Sequence, residues 1–136
     1  MPYATYSIKP WNYNSTWTTP MNNALASWNA HGKVNITKSS RAAAYVTVAS
    51  YSAAWYGLYT PGTNTFNIKL NSRTLAAAAG VFANVSRSTF AHELGHSLSL
   101  ADNPVTDSAS LMKHNRNRNT LYSPTSWDNA RVNSVY

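Results

Sequence analysis

Apolar and polar residues alternate along several stretches of the chain and recur at helical spacing along others. Val34–Thr37 and Tyr45–Ser50 alternate β-branched with polar residues, and Thr65–Leu70 (TFNIKL) alternates throughout. Tyr56–Thr60 is a shorter run ended by Pro61-Gly62. These runs predict strands, with a turn at Pro61-Gly62. Residues 3–19 interleave aromatic and polar side chains and begin with a strand around Tyr6–Lys9. Their Trp and Tyr read as half-buried sheet residues, with a glycan platform as the alternative. Thr19-Pro20 then opens a helix, Thr19 as N-cap and Pro20 in the first helical position. Met21, Leu25 and Trp28 share one face of it, and Gly32 after His31 closes it in the left-handed C′ position. A second helix is expected from about Ser86 to Ser99 and a last one from about Thr125 to Val135, with a helical turn at Ala76–Ala79. The order is strand, helix, three or four strands, helix, irregular segment, helix. It predicts an α+β or α/β single domain over residues 1–136, with helices packed on a twisted sheet.

Composition narrows the function more than the fold. A chain of 136 residues can bury one sizeable core. Charged residues make up only 11%, and Asn, Ser and Thr supply the polarity, a balance common in secreted bacterial proteins. No apolar run reaches the length of a membrane span. MPYATYSIKP lacks an apolar signal core, so an export signal is expected to have been removed ahead of this numbering. The absence of cysteine excludes disulfides, thiolate zinc sites and a cysteine nucleophile. The net charge of +7 sets dispersed Lys and Arg against Glu93, Asp102, Asp107 and Asp128. With no basic stripe, a nucleic-acid partner is not expected. The charge reads as a weakly basic surface, or as attraction to an anionic cell wall or acidic substrates.

The single glutamate changes the picture. It lies in FAHELGHSLSLAD (Phe90–Asp102), directly after one of four histidines and three residues before another. Random placement would flank it this way about once in a thousand draws, so the H-E-x-x-H pattern carries information. On a helix His92 and His96 are one turn apart and aim two imidazoles at one point. Glu93 lies about 100° further round, able to reach a metal-bound water without being a ligand. Two histidines and a third protein ligand suit zinc. Asp102, Asp107, Asp128, His31 and His114 are the candidates for that third ligand. Asp102 reaches the metal only if the helix ends near Ser99 and the chain turns back. Asp128 reads as a helix-start residue bonded to nearby backbone, and His31 as an imidazole at a helix C-terminus.

HELGHSLSLAD resembles the extended zinc signature of the metzincin clan, H-E-x-x-H-x-x-G-x-x-H, with Asp102 at the third-histidine position as in its snapalysin variant. Ser110-Leu111-Met112 is similar to the clan's Met-turn, whose methionine lies beneath the zinc. ASWNAHGKVNI and SPTSWDNARVNSVY resemble the first helix with its following strand and the closing helix of bacterial matrixin-like proteases. The resemblance implies a metzincin-like α+β domain, its mostly parallel sheet bordered by an antiparallel edge strand at Tyr56–Thr60. It implies a monomeric, secreted zinc endopeptidase with His92, His96 and Asp102 on the metal and Glu93 as general base. A protein or peptide substrate would lie antiparallel to the edge strand. Ser99 stands at the clan's glycine, where a left-handed backbone costs a serine roughly 1–3 kcal/mol. His114 stands where astacin-like and serralysin-like members carry a tyrosine that assists at the metal, and a histidine can do similar work. Matrixin-type calcium sites are not expected, since calcium needs several carboxylates and only Asp107 and Asp128 remain. The alternative from another class is a cell-surface or cell-wall binding module with a vestigial zinc site.

Overall fold

The computed structural model describes residues 1–11 and 14–136, so Tyr13 of the aromatic N-terminal stretch lies outside the described residues. Five strands form one sheet: β1 (Thr5–Trp11), β2 (Asn35–Lys38), β3 (Ala44–Ala49), β4 (Gly57–Gly62) and β5 (Thr65–Asn71). Four helices accompany them: α1 (Ser15–Asn29), α2 (Ser72–Ala77), α3 (Phe82–Ser97) and α4 (Ser126–Val135). The strand order is β2-β1-β3-β5-β4. β1 pairs in parallel with β2 and β3, and β3 with β5, while β4 is the antiparallel edge. The alternating residues read from the sequence do face one core. Ile8, Ile36, Val46, Phe66, Ile68 and Leu70 are buried there with Trp28, Phe90, Leu94 and Leu98 of the helices. The Trp28 indole donates to the carbonyl of Ala91 at 2.9 Å, which fixes α1 against the middle of α3. No helix among the described residues is long and apolar enough to cross a membrane.

Element boundaries differ from expectation where a distant contact outweighs a local signal. Helix α1 starts at Ser15, capped by Asn14 accepting from the Thr16 amide at 3.0 Å, and Pro20 lies inside it. Asparagine is the better cap, and the added turn buries Trp17 edge-on against Phe82, their centroids 5.0 Å apart. Gly32 is not left-handed. The helix leaves through Ala30 at φ −64°, and Asn29 bonds the amide and carbonyl of Ile36 at 2.7 and 2.8 Å, binding the exit to β2. The β4–β5 turn falls at Thr63-Asn64, with Gly62 paired to Thr65. Asn64 takes the left-handed backbone (φ 53°) that this tight turn needs. Pro61 stays within β4, as an edge strand permits. Helix α2 occupies Ser72–Ala77 in place of a turn at Ala76–Ala79, because buried Asn71 caps it by accepting from Arg73. Helix α3 begins four residues before Ser86 with no side-chain cap of its own; Asn119 accepts from the Val81 amide at 2.8 Å instead.

Candidate active site

Helix α3 carries His92, Glu93 and His96 beneath the free edge of the sheet, with His92 and Glu93 almost fully buried. The helix ends at Ser97, and the chain reverses through Ser99 at φ 68°. Serine does adopt the left-handed backbone. Two hydrogen bonds of the Schellman type hold it there, Ser99 N to His96 O and Leu100 N to Gly95 O, both 3.0 Å. The reversal brings Asp102 back over the histidines. Its Oδ1 lies 3.0 Å from His92 Nε2, 3.1 Å from His96 Nε2 and 2.9 Å from His114 Nε2. His92, Asp102 and His114 present ligand atoms that all lie within 4.8 Å of one another, as do His92, Glu93 and His96. The structure therefore gathers the three expected ligands and His114 at one point. His31 is not among these groups: its Nδ1 accepts from the Lys33 amide at 3.2 Å. Asp107 is absent from them as well.

Hydrogen bonds on the far side of each ring divide the three imidazoles into two kinds. His92 Nδ1 lies 2.9 Å from the Leu111 carbonyl and His96 Nδ1 2.8 Å from the Leu100 carbonyl. A carbonyl only accepts, so both rings carry hydrogen on Nδ1 and turn an Nε2 lone pair into the site, the tautomer a metal requires. Burial above all, then the positive charge of Arg116, pushes His92 down to about 4, which keeps it neutral. A ligand histidine must be neutral. His114 is arranged the other way round. Its amide donates to Asn103 Oδ1 at 2.8 Å, which turns the Asn103 NH₂ towards His114 Nδ1 at 3.2 Å. Nδ1 then accepts, and the neutral ring holds its hydrogen on Nε2, facing Asp102. Asn103, itself left-handed at φ 48°, thus presents His114 as a donor.

Ser110–Met112 forms the turn beneath the site. Met112 is fully buried against Gly95, where an added Cβ would lie only 2.5 Å from its sulfur. Gly95→Ala is expected to destabilise the fold by about 1–3 kcal/mol through overpacking, measured by urea denaturation. A second support was not legible locally. Fully buried Asp128 accepts from Ser110 Oγ at 2.5 Å, Leu111 N at 2.8 Å and Thr125 N at 2.9 Å. Asp128 is the helix-start residue expected, within a capping box with Thr125. It also clamps the amide of Leu111, the residue whose carbonyl orients His92.

Glu93 faces a cleft of about 470 Å³ between α3, β4 and the segment after Met112. Gly57 of β4 comes so close that a Cβ there would sit 2.9 Å from Glu93 Oε1. Burial first, and then the Asp102 carboxylate, pushes the Glu93 carboxyl up to about 8, with Arg116, the Tyr59 amide and Arg118 opposing. Proton exchange near neutral pH is what such a value favours. For Asp102, burial acts to raise its pKa, but the surrounding histidines outweigh it and hold the carboxyl below the usual range. Gly57, Asn103, Arg116 and Arg118 were not singled out from the sequence. Only the Asn103-Pro104 turn pair hinted at any of them.

No family model matches the chain, and no curated protein does. Solved structures do. The GM1-bound form of the ECX AB5 holotoxin superposes with TM-score 0.73 at 12% identity, over 97% of this chain and 80% of that one. Myroilysin gives 0.69 at 11% identity, over 100% and 81%. High choriolytic enzyme 1, a hatching-enzyme zinc protease of the medaka Oryzias latipes, gives 0.65 at 12% identity, over 99% and 90%. At such identities what is shared is the fold. That fold is metzincin-like α+β: a mixed, mostly parallel sheet with one antiparallel edge, packed on helices and closed by a C-terminal helix.

Proposed function

We propose that the protein is a secreted zinc-dependent endopeptidase of the metzincin clan, with a matrixin-like form and a snapalysin-like aspartate ligand. The observation that carries this reading is the convergence of two histidine lone pairs and the Asp102 carboxylate beside buried Glu93. The donor set fits zinc: neutral imidazoles fixed from behind by carbonyls, a carboxylate, and no thiolate. His92, His96 and Asp102 would hold the ion, which when bound acts as a Lewis acid and lowers the pKa of a coordinated water to about 7. The rest falls to the chain's own groups. β4 offers the unpaired side of its backbone to an extended peptide. Glu93, held opposite Gly57, takes a proton from the attacking water and passes it to the leaving amine. His114, whose Nε2–H faces Asp102 in the structure, would turn that donor to the carbonyl oxygen as charge develops there. The medaka enzyme, a zinc protease of the same fold, supports the reading by analogy.

Zinc binding and turnover should therefore respond to different residues. Asp102→Ala is expected to weaken zinc affinity at least ~10-fold, the loss of a ligand exceeding that of a supporting group. His114→Ala is expected to keep zinc affinity and KM while lowering kcat by about 10²–10³, the effect of losing an oxyanion donor. Titration calorimetry with zinc and steady-state hydrolysis of an unfolded protein read the two separately. Unchanged zinc affinity in Asp102→Ala would move the third ligand to His114. Unchanged kcat in His114→Ala would leave the oxyanion to the metal alone.

A further inference from the structure

The cleft is cationic at one end. Arg116 and Arg118 line it beyond Glu93, together with Trp55 and Tyr56 at the entrance to β4. Arg116 is buried; it donates to Ser88 Oγ at 3.0 Å, Ser88 O at 3.2 Å and Lys113 O at 3.0 Å. These three bonds use three of the five guanidinium N–H groups. Half-buried Arg118 lies over the Tyr56 ring, 5.2 Å from its centroid. Among the described residues neither guanidinium has a carboxylate at ion-pair distance, since the close His–Asp contacts all belong to Asp102. Asp128 is spent on Ser110, Leu111 and Thr125. Glu93, Asp128 and Asp102 act on Arg116 only from beyond ion-pair distance, so a direct, hydrogen-bonded carboxylate partner is still to be supplied. Both side chains line the substrate cleft.

Strand direction tells which substrate residue would arrive there. β4 runs from Gly57 to Gly62, and its free side accepts a further strand best in antiparallel pairing. A peptide bound that way runs from the Gly62 end towards Gly57. The bond beside Glu93 lies near Gly57, so residues after that bond continue past Gly57 towards Tyr56 and Trp55. We propose that Arg116 and Arg118 form a carboxylate-binding subsite that selects Asp or Glu immediately after the cleaved bond. Planar guanidinium forks match a carboxylate bidentately, a geometry that a neutral amide of the same shape does not reproduce. The inference rests on the peptidase reading above.

The test uses the zinc-loaded full chain on an unfolded, disulfide-free protein, with cleavage sites mapped by mass spectrometry. A peptide spanning a mapped site is then made in paired forms with Asp or Asn after the cleaved bond. The expected kcat/KM ratio of Asp to Asn is at least ~10 in the wild type, as charge-assisted bonds are roughly twice as strong as neutral ones. It falls towards unity in Arg118→Gln and below unity in Arg118→Glu. Arg118 is chosen because Arg116 also ties its loop to α3; Arg116→Lys, which keeps the charge but not the fork, should lower the ratio without abolishing it. Cleavage with an Asp-to-Asn ratio near one in the wild type, unmoved by Arg118→Glu, overturns the subsite alone. Absence of any cleavage overturns the peptidase reading and the subsite with it.

Discussion

Glu93→Gln is expected to lower hydrolysis of an unfolded protein by roughly 10²–10⁴-fold, the usual cost of losing a positioned general base. The zinc content is expected to stay unchanged. Glutamine has the volume of glutamate, so the tight approach of Gly57, at 2.9 Å from the carboxylate oxygen to a hypothetical Cβ, remains filled. Glutamine cannot accept the proton. The side chain is not among the three proposed ligands, and His92 and His96 keep their carbonyl partners at Leu111 and Leu100. Chemistry and metal binding therefore separate in one substitution. Parallel kinetics and metal analysis check it, and activity within a few-fold of wild type would remove Glu93 from the mechanism. The same variant distinguishes the peptidase from a binding module with a vestigial metal site, whose ligand binding would not depend on a proton acceptor at this position.

The second large effect is expected at Asp128. Its carboxylate is fully buried and accepts from Ser110, Leu111 and Thr125. Asp128→Ala leaves buried donors without partners, each worth about 1–3 kcal/mol. A total loss of at least ~3 kcal/mol is expected from denaturant titration, with early melting of the turn at Met112. Zinc affinity should also fall, by about 10–100-fold, because Asp128 holds the amide of Leu111, the residue that orients His92 through its carbonyl. A stability loss below about 1 kcal/mol would show that the capping role is dispensable and that the turn is held by Met112 packing on Gly95.

Local rules carried the strongly periodic parts of the chain. The alternation of TFNIKL became β5, and the four-residue spacing of His92 and His96 became a histidine pair on one helix face. What was legible in each case depended on neighbours in sequence. The missed boundaries depended on neighbours in space. Thr19-Pro20 is a sound start signal, yet the burial of Trp17 against Phe82 carries α1 back to Asn14. α3 starts at Phe82 because Asn119, from the far side of the site, satisfies the Val81 amide. The residues alone leave Asp102 one candidate among several and only the resemblance singles it out; its return over the histidines depends on the left-handed turn at Ser99. The donor character of His114 needed Asn103, and the fit of Glu93 needed Gly57. Both contacts join elements that no local pattern links.

In the function proposed above, this constellation hydrolyses peptide bonds with a single zinc ion held by His92, His96 and Asp102. The most direct measurement is hydrolysis of an unfolded protein by the chain after exhaustive chelation, and again after one equivalent of zinc is returned. Chelation is expected to abolish hydrolysis, one equivalent to restore it, and the returned zinc to fail to restore it in Glu93→Gln. Hydrolysis that survives chelation, or a zinc-saturated wild type that cleaves no unfolded protein, would contradict it.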